Sequence, residues 1–205
     1  MSCSSRCSSH ERRGHVARCF GMGAGSALIG TLALIVCCSA KAAVEAPPPV
    51  QREIEQARLA GEGEFRWFGL SIYRARLWVG RAGYRAEVPA GSKFALELRY
   101  ARALEGARIA RSSEEQMRAL GLGSAAQRAA WLARMTELFP DVQADTRILG
   151  VHLPQLGARF YLNGKLLGEV ADPDFGRAFF AIWLDPKTSA PDLRDALLQN
   201  AAPLE

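Results

Sequence analysis

Residues 157–184 read GARFYLNGKLLGEVADPDFGRAFFAIWL, and three features of this stretch set the architecture. Arg159–Leu162 is strand-like and runs into Asn163-Gly164, the pair that best tolerates the positive φ angles of a two-residue hairpin turn. Asp172-Pro173 then supplies an N-cap side chain followed by proline at the first helical position, where its missing N–H costs nothing. Downstream, Phe175, Ala178, Phe179, Ile182 and Trp183 fall on one helical stripe. A tight hairpin feeding a helix with one apolar face predicts an antiparallel sheet with helices layered on it, an α+β fold.

The same grammar extends outward. Upstream, Thr146–Leu153 is β-rich. Phe94, Leu96, Leu98 and Tyr100 alternate with Ala95, Glu97, Arg99 and Ala101, the pattern of a half-buried strand. Tyr73, Ala75, Leu77 and Val79 line one face of another strand, and Leu59, Gly61, Gly63, Phe65 and Trp67 share a parity before it. Between strands lie two helices. Ser112-x-x-Glu115 reads as a capping box that opens a short helix ended by Gly121. Ser124-x-x-Gln127 opens a second, with Trp131, Leu132, Met135, Leu138 and Phe139 on one stripe and Pro140 as its stop. Ser189–Asp192 starts a last helix that turns Leu193 and Leu197 inward. Trp131 and Trp183 are both expected to be buried.

The N-terminal end is of another kind. Residues 1–20 hold four arginines, an uncharged run extends from Phe20 to Ala40, and Ala40-Lys41-Ala42 has the small-x-small form of a cleavage site. This order predicts a secretory signal peptide over 1–42, cut after Ala42, against the alternative of a retained anchor. Ala43–Val50, rich in proline, reads as part of a flexible spacer over 43–52, ahead of a domain over 53–200. The whole chain has 205 residues and a formal charge of +5, but five of its 26 bases and one of its 21 acids precede the cut. The remainder is near neutral, which removes the main argument for nucleic-acid binding. All five cysteines and two of three histidines also precede the cut, leaving His152 alone. After export there is thus no disulfide, thiol nucleophile or Cys- or His-rich metal site, and no cofactor motif stands out. Gly121-x-Gly123-x-x-Ala126 follows a helix rather than a strand, so it reads as a helix–helix turn and not as a dinucleotide fingerprint. Cleavage would leave no membrane span, and the export route points to the periplasm.

One strand pair stands out chemically. In Gly61–Trp78 charges interleave with large aromatics: Arg66 lies between Phe65 and Trp67, and Tyr73 falls on the apolar parity, where a buried hydroxyl needs a partner. Arg66 and Tyr73 within reach of one another would grip a carboxylate or enolate oxygen. The bland alternative is a solvent-facing arginine beside a core tyrosine.

The order of GEGEFRWFGLSIYRARLWVG (61–80), FALELRYARAL (94–104), LFPDVQADTRI (138–148), GARFYLNGKLLGEV (157–170) and DFGRAFFAIWLDPKTSAPDLRDALL (174–198) resembles the chalcone isomerase-like family, in particular its secreted bacterial branch. The resemblance implies an open-faced β-sandwich with an apolar cleft between sheet and helices. It also implies either ring closure of an enone or, in non-catalytic members, fatty-acid binding through an arginine and a tyrosine. By position Arg66 and Tyr73 match those two residues. Where isomerases carry a catalytic tyrosine and then an asparagine, this chain reads GARIARSSEEQ (106–116), and the late-helix hydroxyl position is matched by Ala181. Missing oxyanion donors argue against catalysis. The reading is therefore a binding protein for a small amphipathic, fatty-acid-like ligand with no catalytic residues assigned. The alternatives are an intramolecular lyase acting on an enone and, beyond it, an envelope protein–protein adaptor.

Overall fold

A computed structural model describes residues 44–85 and 91–204; the signal peptide read over 1–42 lies outside them. Six strands, β1 (Arg58–Trp67), β2 (Leu70–Val79), β3 (Phe94–Tyr100), β4 (Arg147–Leu153), β5 (Gly157–Leu162) and β6 (Lys165–Val170), form one antiparallel sheet in sequence order. The helices are α1 (Pro48–Glu53), α2 (Gly106–Ala119), α3 (Ala125–Leu138), α4 (Pro173–Leu184) and α5 (Pro191–Leu198). The fold is α+β.

Helices α2–α5 cover one face. Their apolar stripes meet Ala75, Leu77, Val79, Phe94, Leu96, Leu98 and Phe160 in the main core. Phe175, Phe179 and Trp183 of α4 stack edge-on or offset along it, with centroids 5.4 Å apart at each step. Trp131 and Trp183 are buried as their stripes require, and the Trp131 indole donates to the α4 cap residue Asp172 at 2.8 Å, joining α3 to the start of α4. Both caps at Ser124 and Asp172 form as the sequence predicts.

Three expectations differ. Residues 48–53 are not a spacer: α1 packs on the opposite sheet face, where Val50 and Ile54 meet Trp78, Ala95, Leu149, Val151 and Tyr161 in a second, smaller core. Proline at the first turn suits a helix start as well as it suits an extended linker, and the apolar Val50 and Ile54 choose between them. For the same reason β3 is buried on both faces along most of its length, Ala95 and Glu97 included. Finally, α2 begins at Gly106, six residues ahead of Ser112. Its first N–H is capped from a distance by Asp141 Oδ1 at 2.9 Å, and the Ser113 hydroxyl donates back to Ile109 O.

Two bulges shape the first hairpin. Leu59 pairs with Trp78 and Gly61 with Leu77, so Ala60 is an extra residue and Leu59 turns to the α1 face. Ala60 O is free for another donor and accepts from Asn200 N at 2.8 Å. The C-terminal segment is bound at further points to β1 and to the segment after β2: Arg58 donates to the carbonyls of Asn200 and Ala202, Tyr84 N to Ala201 O, and Leu204 N to Arg81 O. Gly61 and Gly63 lie under α5, where a Cβ on Gly61 would come within 2.0 Å of Ala196 O. These glycines exist for helix contact, and the contact leaves no room for a phosphate.

Candidate functional site

The second bulge decides where the candidate residues point. Phe65 pairs with Tyr73 and Arg66 with Ser71, leaving Ile72 as the extra residue. Phe65 and Tyr73 therefore face the helices, their rings stacked 5.2 Å apart. Arg66 goes to the other face, 62 % exposed, and bonds Glu64 at 2.8 Å; Glu64 also accepts from Ser71. The structure does not bring Arg66 and Tyr73 together. Strand parity alone placed Arg66 opposite Tyr73's face, and no feature of the sequence overrides it.

Tyr73 has the partner a buried phenol needs. Trp183 Nε1 of α4 donates to its oxygen at 2.9 Å, so a strand and a helix fix the hydroxyl from two sides. Burial pushes the phenol's pKa far above the ordinary 10, against the smaller lowering effect of the Trp183 bond. The group stays protonated and keeps its own proton for donation. Tyr100, at the end of β3, meets Tyr73 edge-on at 6.0 Å and is likewise shifted up, first by burial and then by Tyr73. Its alternation with Phe94, Leu96 and Leu98 marked it as a core residue, and only the register placing it opposite Tyr73 makes it part of a polar pair.

One residue before Tyr73, Ile72 lines a crevice of roughly 430 Å³. Its apolar wall is Trp67, Leu70, Ile72, Leu104 and Val142, contributed by the tip of the first hairpin and the segments on either side of α2–α3. Arg102 and Arg108 stand at its rim with Glu105 and Asp141. Asp141 is engaged in capping α2, and among the described residues neither arginine has a carboxylate partner. These two arginines are what the sequence reading missed: Arg102 lies in the irregular segment after β3, and Arg108 in the first turn of α2, ahead of the Ser112 start that the sequence suggests.

The face opposite the helices carries a second depression, roughly 390 Å³, where Arg74, Arg99 and Arg147 stand side by side on β2, β3 and β4. Here carboxylates answer the cations: Glu62 lies 3.8 Å from Arg74, Asp145 2.6 Å from Arg99 and Glu97 3.9 Å from Arg147. That arrangement offsets the repulsion of like charges on neighbouring strands. His152, the one histidine among the described residues, is buried and stacked on Phe94 at 4.8 Å, with Nδ1 3.0 Å from Ser92 O. No cluster of three or more metal-ligating side chains occurs among the described residues, and no described helix is long and apolar enough to cross a membrane.

The profile of the family described as chalcone isomerase-like matches residues 39–199. The chain belongs to the chalcone isomerase-like family. A crystal structure of an Arabidopsis thaliana fatty-acid binding protein superposes with a TM-score of 0.55 at 16 % identity, covering 72 % of this chain and 89 % of that one. At that identity the likeness establishes the shared fold. A search of curated proteins finds no match. The chalcone isomerase-like sheet is here covered on part of its outer face by α1.

Proposed function

We propose that this chalcone isomerase-like protein is an exported, non-catalytic carrier or sensor of a small amphipathic acid. The observation that carries the reading is the crevice beside Tyr73: an apolar wall rimmed by two arginines with no carboxylate partner among the described residues. Such a site offers tail burial at ~0.8 kcal/mol per methylene and charge-assisted hydrogen bonds to the headgroup. The fatty-acid binding protein that shares the fold supports the same class of ligand. Two features speak against ring-closing chemistry. Residues 106–116 are taken up by α2, with Ser113 satisfied by its own helix, and Ala181 on α4 offers no hydroxyl. Export with cleavage after Ala42 is part of the proposal; α1 begins beyond that point and its first buried neighbour is Ala46, so the cut would spare the folded body.

Calorimetric titration with dodecanoic acid tests the reading. The double variant Arg102→Ala/Arg108→Ala is expected to bind roughly ten- to a hundred-fold more weakly, whereas Arg66→Ala, on the far face, is expected to bind as wild type does. Equal affinity of the wild type for dodecanol and dodecanoate would overturn the arginine assignment. The Tyr73–Tyr100 pair is the one observation that favours the alternative, a lyase acting on an enone. Turnover of a chalcone that falls with Tyr73→Phe would establish it.

A further inference from the structure

The hairpin between β1 and β2 turns on Phe68 and Gly69, whose φ angles are 48° and 78°. The hairpin between β5 and β6 makes the same kind of turn on Asn163 and Gly164, at 48° and 86°. Asparagine is among the few residues that tolerate the first of these positions; a bulky side chain there is an outlier. Phe68 gains nothing from the fold in return, since it is 90 % exposed. Its neighbours are as unusual. Trp67 is 59 % and Leu70 57 % exposed, so three large apolar side chains stand in water at one hairpin end, with Trp67 edge-on to Phe68 at 5.0 Å. Beside them, Arg102 and Arg108 share the crevice wall with Trp67 and Leu70. Arg102 and Arg108 stand here with Glu105 and with Asp141, whose carboxylate is engaged in capping α2, and the turn itself bears no acid.

We propose that this hairpin end docks on a lipid bilayer with an anionic surface. Trp67, Phe68 and Leu70 enter the interfacial layer, and Arg102 and Arg108 meet lipid phosphates. A protein partner would need a pocket shaped to three side chains spread around a two-residue turn. A bilayer interface needs only apolar bulk, an amphipathic indole and cations at headgroup height. The docked orientation sets the mouth of the roughly 430 Å³ crevice against the membrane. The docking draws on the arginines that the acid-binding reading also uses, but the test contains no ligand, so its failure leaves that reading standing.

The full-length chain is mixed with phosphatidylcholine–phosphatidylglycerol vesicles whose acyl chains are brominated, and tryptophan quenching is read. Trp78, Trp131 and Trp183 are buried, so quenching reports Trp67 even if the N-terminal segment also attaches the chain to the vesicle. Quenching of wild type is expected, weaker on pure phosphatidylcholine and weaker again for Arg102→Glu/Arg108→Glu. Phe68→Asn, which relieves the turn, is expected to melt higher than wild type while its vesicle-dependent quenching midpoint rises roughly ten-fold. A Trp67 left unquenched on anionic bromolipid, as a protein-docking tip would leave it, overturns the proposal. So does a Phe68→Asn protein quenched like wild type.

Discussion

At the scale of single residues, exposure separates two side chains that look alike in sequence. Arg66 and Tyr73 are both polar groups set among aromatics, yet one is a solvent-facing member of an ion pair and the other bonds an indole across the core. Tyr73→Phe is expected to destabilise by about 1–3 kcal/mol, because it leaves the Trp183 N–H without an acceptor. Arg66→Ala should cost less than about 1 kcal/mol, the worth of an exposed pair; urea unfolding of the two variants checks both. Phe68→Asn should instead gain about 1 kcal/mol by removing a left-handed bulky residue. The sequence reading placed Tyr73 correctly because its parity matched Ala75, Leu77 and Val79. It misplaced Arg66 because grouping by sequence proximity ignores that adjacent strand residues face opposite ways, and the Ile72 bulge keeps it so. Arg102 was illegible because a segment without periodicity gives no direction to its side chain, and Arg108 because the capping pattern at Ser112 starts the helix after it.

Among the elements, those with strong local chemistry were readable and those fixed by distant partners were not. Ser124 with Gln127 and Asp172-Pro173 satisfy their own backbone within a few residues, and Asn163-Gly164 supplies the two positive φ angles of its turn, so each element they open or turn forms where the sequence places it. The start of α2 depends on Asp141, thirty-five positions away, and Ser112-x-x-Glu115 is a decoy inside that helix. The α1 segment is another tertiary case: six residues are too short to be helical alone, and packing on Trp78 and Val151 holds them. The β1–α5 contact yields a sharp prediction. Gly61→Ala drives a Cβ into the carbonyls of Ala196 and Leu197, and should cost at least about 2 kcal/mol as an overpacked contact. It should also raise hydrogen exchange in 191–204 before it does so in β4 and β5.

For the whole molecule, acid is the weak point. Glu53 at the end of α1 accepts from Lys93, Tyr161 and Arg159. Burial alone would raise its pKa, and those three bonds outweigh it, holding the carboxyl at about 2 against an ordinary 4.5. Its contribution is complete above about pH 4.5 and is lost as pH falls toward 2. His152 acts earlier. Burial lowers its pKa below 6.5, against a smaller opposing effect of Ser92 O, so the unfolded chain takes up that proton first and stability declines as pH drops below 6.5. Unfolding free energy measured against pH should therefore fall in two steps; Glu53→Gln should shrink the lower step, to which the lowered Asp172 also contributes, and His152→Asn should remove the upper. The bonds that tie Asn200 and Ala202 to Arg58 and Ala60 of β1 have a consequence for timing. Chains are made from the N-terminus onward, and Asn200, which bonds β1, follows Arg58 by 142 positions. Until it arrives, β1 is an open sheet edge able to pair with another nascent copy. The order in which the chain emerges, and not only the stability of the finished domain, should therefore govern yield.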